Sequence, residues 1–305
     1  YNICINIANF SRKTLVLCFF RHKFISLIQG VRKMKLGYQT ITWGGVVGQA
    51  QGVTSIKDLF YQTYGSTAQA CADIAAAGYS GIEIFDGNLA EYANDPDSFK
   101  NLLSKHNLEL VSVYTGANFI YQDILVDEFH KIKQAIQFAK SMGAINLIVG
   151  GGAKRSTGTT EEDYVMLAKG LDQVTDLAAE AGLNACYHPH LTTIVENTVE
   201  LDKIMSLSKI HFCPDTAHLT AGGVDAAAAI RKYGNRVRHV HLKDYKANPF
   251  AFLPLGKGEI DFANIFSALK EVSYDGWLVV ELDGYEGNPK DAADISMKFI
   301  KENLK

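Results

Sequence analysis

The sequence predicts the α/β class, a single-domain (β/α)8 barrel of the TIM type, and three observations carry that prediction. From Met34 onward, eight short runs rich in apolar and β-branched residues alternate with eight longer stretches of helical character. Several short runs are almost continuously apolar, as strands covered on both faces should be. Imidazole and carboxylate side chains collect where the runs end, which is the face of a barrel that carries chemistry.

Strand one, 35–41, leads to a helix over 58–77 closed by Gly78, a residue free to take the left-handed conformation past a helix end. Strand two, 81–85, precedes a helix at 97–106; strand three, 109–114, precedes one at 123–142 closed by Gly143. Strand four, 146–149, precedes a helix at 161–181 closed by Gly182, and strand five, 183–187, one at 196–206. Strand six, 210–213, precedes a helix at 225–233 closed by Gly234. Strand seven, 237–241, precedes a helix at 261–271 with Asp261 at its N-cap, and strand eight, 277–281, precedes one at 290–304. Right-handed crossovers close eight such units into a barrel; a doubly wound open sheet is the competitor, and the count favours closure. No linker or low-complexity stretch divides 34–305, which reads as one domain.

The bulk numbers are those of a globular chain: 305 residues, 47% hydrophobic and 21% charged. A net charge of −3 offers no general attraction to nucleic acid or anionic lipid. Cys4, Cys18, Cys71, Cys186 and Cys213 show no framework spacing and read as reduced thiols, so a cytoplasmic location is expected. No apolar run reaches the length of a membrane span. Residues 1–33 differ in character: a short apolar run, Thr14 to Phe20, lies between basic residues, with no clear cleavage site. They read as a non-domain leader, upstream sequence translated in error, with Met34 the natural start. An amphipathic anchor is the competing reading.

Of nine histidines, six (His188, His190, His211, His218, His239, His241) fall between strands five and seven, five of them at or near strand C-termini. Residues two apart on a strand share a face, so His188 and His190 can both point inward, as can His239 and His241. His211 opens strand six, at the bottom of the barrel, and has no expected role. The expected metal ligands are His188, Asp215, His241 and Glu281, one from each of four consecutive strands. Mixed imidazole and carboxylate donors suit Mn²⁺, Co²⁺, Zn²⁺ or Fe²⁺ better than Mg²⁺. Such an ion polarises a carbonyl and acidifies the adjacent C–H. Glu281 or His190 is the expected base. Glu83, Asp244 and Trp43 are candidate substrate contacts on the same rim, with Tyr38 and Phe85 as further aromatics.

Each residue alone has a structural alternative: His239 a buried core residue, Glu83 an ion-pair partner, Asp244 a turn cap, the aromatics core. Joint placement on one rim favours the metal reading. Gly150-Gly151-Gly152-Ala153-Lys154-Arg155 could cradle a phosphate, but a βα turn is the better reading.

Several segments are specific: YHPH at 187–190, DTAH at 215–218, HVHLKD at 239–244, PLGKGEIDF at 254–262 and YDGWLVVEL at 274–282. In these the chain resembles the xylose-isomerase-like barrel superfamily of sugar isomerases, epimerases and type-IV apurinic endonucleases, over essentially all of 34–305. It looks most like the inosose dehydratase branch, which removes water from a keto-inositol using Mn²⁺ or Co²⁺. The resemblance implies the same four ligands, and substrate-oxygen contacts from His218 and Lys243. Ketose 3-epimerases of the superfamily carry a glutamate at the strand-five position, where this chain has His188; that weakens the epimerase reading. Endonucleases need three zinc ions and a histidine beyond strand seven, and none follows His241.

The expected function is therefore a lyase dehydrating a polyhydroxylated ketone such as an inosose through a metal-stabilised enolate, with His218 or Lys243 helping the hydroxyl depart. The alternative is a sugar or sugar phosphate isomerase or epimerase on the same site, and the third reading a non-catalytic sugar-binding barrel. Expected partners are a small polyol substrate, further copies of the chain in a homo-oligomer, no nucleic acid and no membrane.

Overall fold

Short apolar strands alternating with helices bury both faces either in an open sheet flanked by helices or in a closed barrel, and the computed structural model shows closure. It describes residues 34–44, 61–116 and 118–304, so the expected leader at 1–33 lies outside the described residues. Lys35–Lys305 forms one compact unit.

The strands are β1 (Lys35–Gln39), β2 (Gly81–Phe85), β3 (Glu109–Gly116), β4 (Asn146–Gly150), β5 (Asn184–His188), β6 (His211–Phe212), β7 (His239–Leu242), β8 (Asp244–Lys246), β9 (Ala251–Leu253) and β10 (Trp277–Val280). Eight pair in parallel in the order β6-β5-β4-β3-β2-β1-β10-β7, while β8 and β9 form an antiparallel hairpin. The circle closes between β6 and β7 through two parallel bridges, Phe212 with Val237 and Asp215 with His241. The outer helices are α1 (Thr67–Ala77), α2 (Pro96–His106), α3 (Leu125–Ser141), α4 (Glu161–Glu180), α5 (Thr198–Leu207), α6 (Thr216–Ala221), α7 (Ala226–Tyr233), α8 (Phe262–Glu271) and α9 (Pro289–Asn303).

The expected eight strand–helix units are present, with local differences. Of the helix expected over 58–77, residues 58–60 lie outside the described residues, and the described part is helical only from Thr67, capped by Ser66, which accepts from the Gln69 N–H. Ahead of it, the backbone N–H groups of Tyr61 and Thr63 donate to Asp86 (2.9 Å) and Asn88 (3.1 Å), which holds this segment against the loop after β2 instead of in a helix. Strand one stops at Gln39 because its side chain accepts from the Ile41 N–H (2.7 Å) and starts a 3-10 turn. The hairpin β8–β9 and the short helix α6 were not foreseen.

The barrel interior is plugged at its lower end by Val111, Trp277 and Val279. Gly81 makes room for that plug: a Cβ there would sit 2.4 Å from Val111 and 2.7 Å from Trp277. Higher up, Ile41, Tyr61, Phe85, Tyr114, Ile148, Cys186 and Cys213 pack together. Tyr38 and Phe85, offered as sugar-stacking rings, are thus core residues, 0% and 2% exposed. The polar groups sit above and among this layer. Cys71, Cys186 and Cys213 are free and buried thiols. No described helix is long and apolar enough to cross a membrane.

Candidate metal centre and active site

The ends of β5, β6, β7 and β10 bring four side chains together. One ligand atom each from His188, Asp215, His241 and Glu281 lies within 4.8 Å of all the others, and all four residues are buried. Local structure places each. Asp215 is the N-cap of α6: its Oδ1 accepts from the Ala217 N–H (2.8 Å) and the His218 N–H (2.7 Å), leaving Oδ2 without a hydrogen-bond partner. Thr216 ties the neighbouring strand end in place, donating to the Lys243 carbonyl (2.7 Å) and accepting from its N–H (2.9 Å). The Nδ1 of His188 faces the Cys213 sulfur at 4.0 Å, and its Nε2 has no partner. His241 meets Glu83 through Nε2 (3.1 and 3.2 Å), while its Nδ1 lies 2.7 Å from Glu281 Oε2 without hydrogen-bond geometry.

The donor set fits a divalent cation on an internal observation. His188 Nε2, Asp215 Oδ2, His241 Nδ1 and Glu281 Oε2 are all buried atoms with no hydrogen-bond partner. Buried polar atoms without partners are costly, and four converging on one point are accounted for together by one ion. Charge agrees. The carboxylates Asp215, Glu281 and Asp283 share one buried ammonium, Lys243, at 3.4, 3.6 and 3.2 Å, while Glu83 faces His239 and His241. Burial pushes Asp215 up to about 6 and Asp283 to about 7, with Lys243 opposing in both. Burial also works to raise Glu281 and Glu83, but Lys243 and His241 hold Glu281 well below its usual range, and His241 with His239 hold Glu83 at about 2.

The imidazoles differ in state. Burial, with Lys243 nearby, lowers His190 to about 4, and burial with His190 and Lys243 alongside holds His218 well below its ordinary value. Burial likewise holds His188 well below, so all three are neutral rings near pH 7. His190 Nδ1 lies 2.7 Å from the Leu191 carbonyl, which can only accept; Nδ1 therefore carries the proton and Nε2 the lone pair. His218 is the converse. Its Nε2 accepts from Lys243 Nζ (3.0 Å), which puts its proton on the unpartnered Nδ1. The two rings are 3.6 Å apart between centroids. Phe252 of β9 stands edge-on to His218 at 4.9 Å, with Lys243 Nζ 4.9 Å over its ring.

Four expected substrate contacts are placed otherwise. Glu83 is 0% exposed and engaged with Ser112, His239 and His241. Asp244 caps the 256–260 loop, accepting from the N–H groups of Tyr245, Gly256, Gly258 and Ile260, as its turn-cap reading had it. Trp43 turns to the helix layer, its Nε1 donating to Asp73 of α1 at 2.8 Å. Lys243 is 0% exposed, its ammonium set among His218, Asp215, Glu281 and Asp283. The glycine-rich loop is a structural turn: Ala153 N–H donates to Asn118, Lys154 pairs with Glu196 and Arg155 with Asp163. His211 opens β6, as expected. Sequence reasoning missed Asp283, although it lies two residues beyond Glu281 on the same face, and Phe252, whose hairpin it did not recognise.

The sequence model of one family, described as xylose isomerase-like TIM barrel, matches residues 71–303. The inosose dehydratase of Clostridium beijerinckii is 32% identical over 268 residues, which cover 77% of this chain and 88% of that protein. Among solved structures, the IOLI protein with a binding zinc atom superposes with a TM-score of 0.69 at 18% identity, over 89% of this chain and 98% of that one. A probable 3-DHS dehydratase, AsbF of Bacillus anthracis, gives 0.68 at 16% identity, over 89% and 100%. At such identities the structural matches speak for the fold.

Proposed function

This chain belongs to the xylose isomerase-like TIM-barrel family, and from that premise we propose that it is a divalent-metal-dependent lyase that removes water from a polyhydroxylated ketone of the inosose class. The observation that carries the reading is the convergence of four buried donor atoms that lack hydrogen-bond partners, from His188, Asp215, His241 and Glu281, at the mouth of the barrel. These residues would hold the ion; mixed nitrogen and oxygen donors suit Mn²⁺, Co²⁺, Zn²⁺ or Fe²⁺ better than Mg²⁺, and the resemblance to the inosose dehydratases favours Mn²⁺ or Co²⁺ among them. When bound, the cation supplies Lewis acidity to the ketone and so acidifies the neighbouring C–H.

The chain's own residues then divide the proton work. His190 takes the α-proton at Nε2, the nitrogen left bare by its bond to the Leu191 carbonyl. His218 gives its Nδ1 proton to the β-hydroxyl, which leaves as water, and recovers one at Nε2 from Lys243. The C–H electron pair becomes the new double bond as the C–O bond breaks, and the protein takes one proton and gives one. Glu281, the other candidate base, is less free: it faces His241 at 2.7 Å and Lys243 at 3.6 Å. Phe252 offers an apolar wall for the C–H face of a ring polyol. The reduced, buried cysteines fit a reducing compartment such as the cytoplasm.

The test is proton NMR in D₂O on the Mn²⁺- or Co²⁺-loaded full chain with inososes. New enol or dione signals together with loss of the substrate are expected. Deuterium uptake at the α-carbon without those signals would make the enzyme an epimerase, and no change in any inosose would remove the substrate class.

A further inference from the structure

Glu83 is a buried carboxylate for which the chemistry above has no use. It sits one inward-facing position below the rim, opposite Gln39 on β1 and Ser112 on β3. A register shift between Ile82 and Glu83 brings Ser112 round to the inside, where its hydroxyl donates to Glu83 Oε2 at 2.5 Å. The same carboxylate straddles His241 Nε2, with Oε1 at 3.1 Å and Oε2 at 3.2 Å, and meets His239 Nε2 at 3.1 Å.

The direction of every proton in this chain follows from groups that have no choice. The Arg238 carbonyl can only accept, so the Asn146 amide presents its Nδ2 there, at 3.2 Å. That nitrogen also lies 3.1 Å from His239 Nδ1, which must therefore accept, leaving the His239 proton on Nε2, 3.1 Å from Glu83 Oε2 but without hydrogen-bond geometry. Asn184 Nδ2 donates to Asn146 Oδ1 at 3.1 Å and completes the chain at the lower end of the barrel. A carboxylate that already accepts from Ser112 has only acceptor capacity to offer His241. The His241 Nε2 consequently keeps its proton, and Nδ1 is the nitrogen left to bind.

We propose that Glu83 is a positioning residue: held by Ser112 and set beside His239, it locks His241 in the ring orientation and tautomer that present Nδ1 to the cation. The inference rests on the cation reading above. Carboxylates behind a metal-binding imidazole typically change metal affinity about 10- to 100-fold.

The test titrates Co²⁺ into the metal-stripped full chain by calorimetry and follows the visible Co²⁺ absorption, for the wild type, Glu83→Gln, Ser112→Ala and Asp215→Asn. Glu83→Gln should weaken Co²⁺ binding about 10- to 100-fold and alter the visible bands, and Ser112→Ala should weaken it a few-fold in the same direction. A folded Glu83→Gln that binds within twofold of wild type, with an unchanged spectrum, overturns the assignment. If that variant does not fold, Ser112→Ala decides, and an unchanged affinity there counts against it. Should the wild type show no Co²⁺ binding that Asp215→Asn abolishes, the cation reading falls and this inference with it; an intact wild-type site with an unaffected Glu83→Gln removes this inference alone.

Discussion

At the scale of single residues, the site works by denying side chains alternatives. The Asp215 Oδ1 is occupied by two helix N–H groups, so only Oδ2 remains, and His190 Nδ1 is occupied by a carbonyl, so only Nε2 remains. His190→Asn should therefore lower kcat about 10²- to 10⁴-fold while leaving Co²⁺ affinity within a few-fold of wild type, measured by turnover and by calorimetry. Because the His190 and His218 rings are 3.6 Å apart, the proton and the hydroxyl should leave from the same face of the substrate. A stereospecifically deuterated inosose checks this: retention of the label cis to the departing hydroxyl would sink the assignment of both rings. The convergence of His188, Asp215, His241 and Glu281 was legible because barrel strands end on one rim and alternate residues share a face. Glu83, Asp244 and Lys243 were misjudged for a physical reason. Their strand positions are as expected, but partners from β3, the 256–260 loop and Asp283 beyond β10 have claimed them, and pairings between distant segments leave no mark in local spacing.

At the scale of elements, helices and strands were legible from periodicity and punctuation, whereas their ends were decided by side-chain caps. Ser66, Asp95, Thr160, Asn197, Asp225 and Asp261 each accept from a backbone N–H at a helix start. The segment before α1 shows what periodicity cannot reveal, since Asp86, in the loop after β2, holds it by accepting from the Tyr61 N–H. Asp86 is itself buried. Burial pushes its carboxyl up to about 6 from 3.8, with Lys131 opposing. A folded-state pKa above the unfolded one means the folded protein takes up the proton first. Its stability contribution is complete below about pH 4 and is lost as pH rises through 6. Replacing Asp86 by Asn should flatten that part of the stability profile, with a difference between the two proteins of about 2–3 kcal/mol across pH 4 to 7 in urea unfolding. Parallel curves over that range would show that Asp86 does not titrate there.

At the scale of the whole molecule, a metal that binds only the folded chain must stabilise it. At a hundred times its Kd, Mn²⁺ or Co²⁺ should add about 2.7 kcal/mol. For a barrel of this size that raises Tm on the order of 5 °C, and EDTA should reverse it. Calorimetric melting with and without chelator checks this, and an unchanged Tm would count against a cation site of useful affinity. The seam between β6 and β7 says where that gain should appear. The ring of strands is joined there by only two bridges, and one of them is the pairing of Asp215 with His241. An ion gripped by both residues would act as the rivet of a hoop whose ends barely overlap. Amide exchange along 211–215 and 239–242 should therefore slow on loading more than anywhere else in the sheet, so the part that performs the chemistry is also the part that keeps the barrel shut.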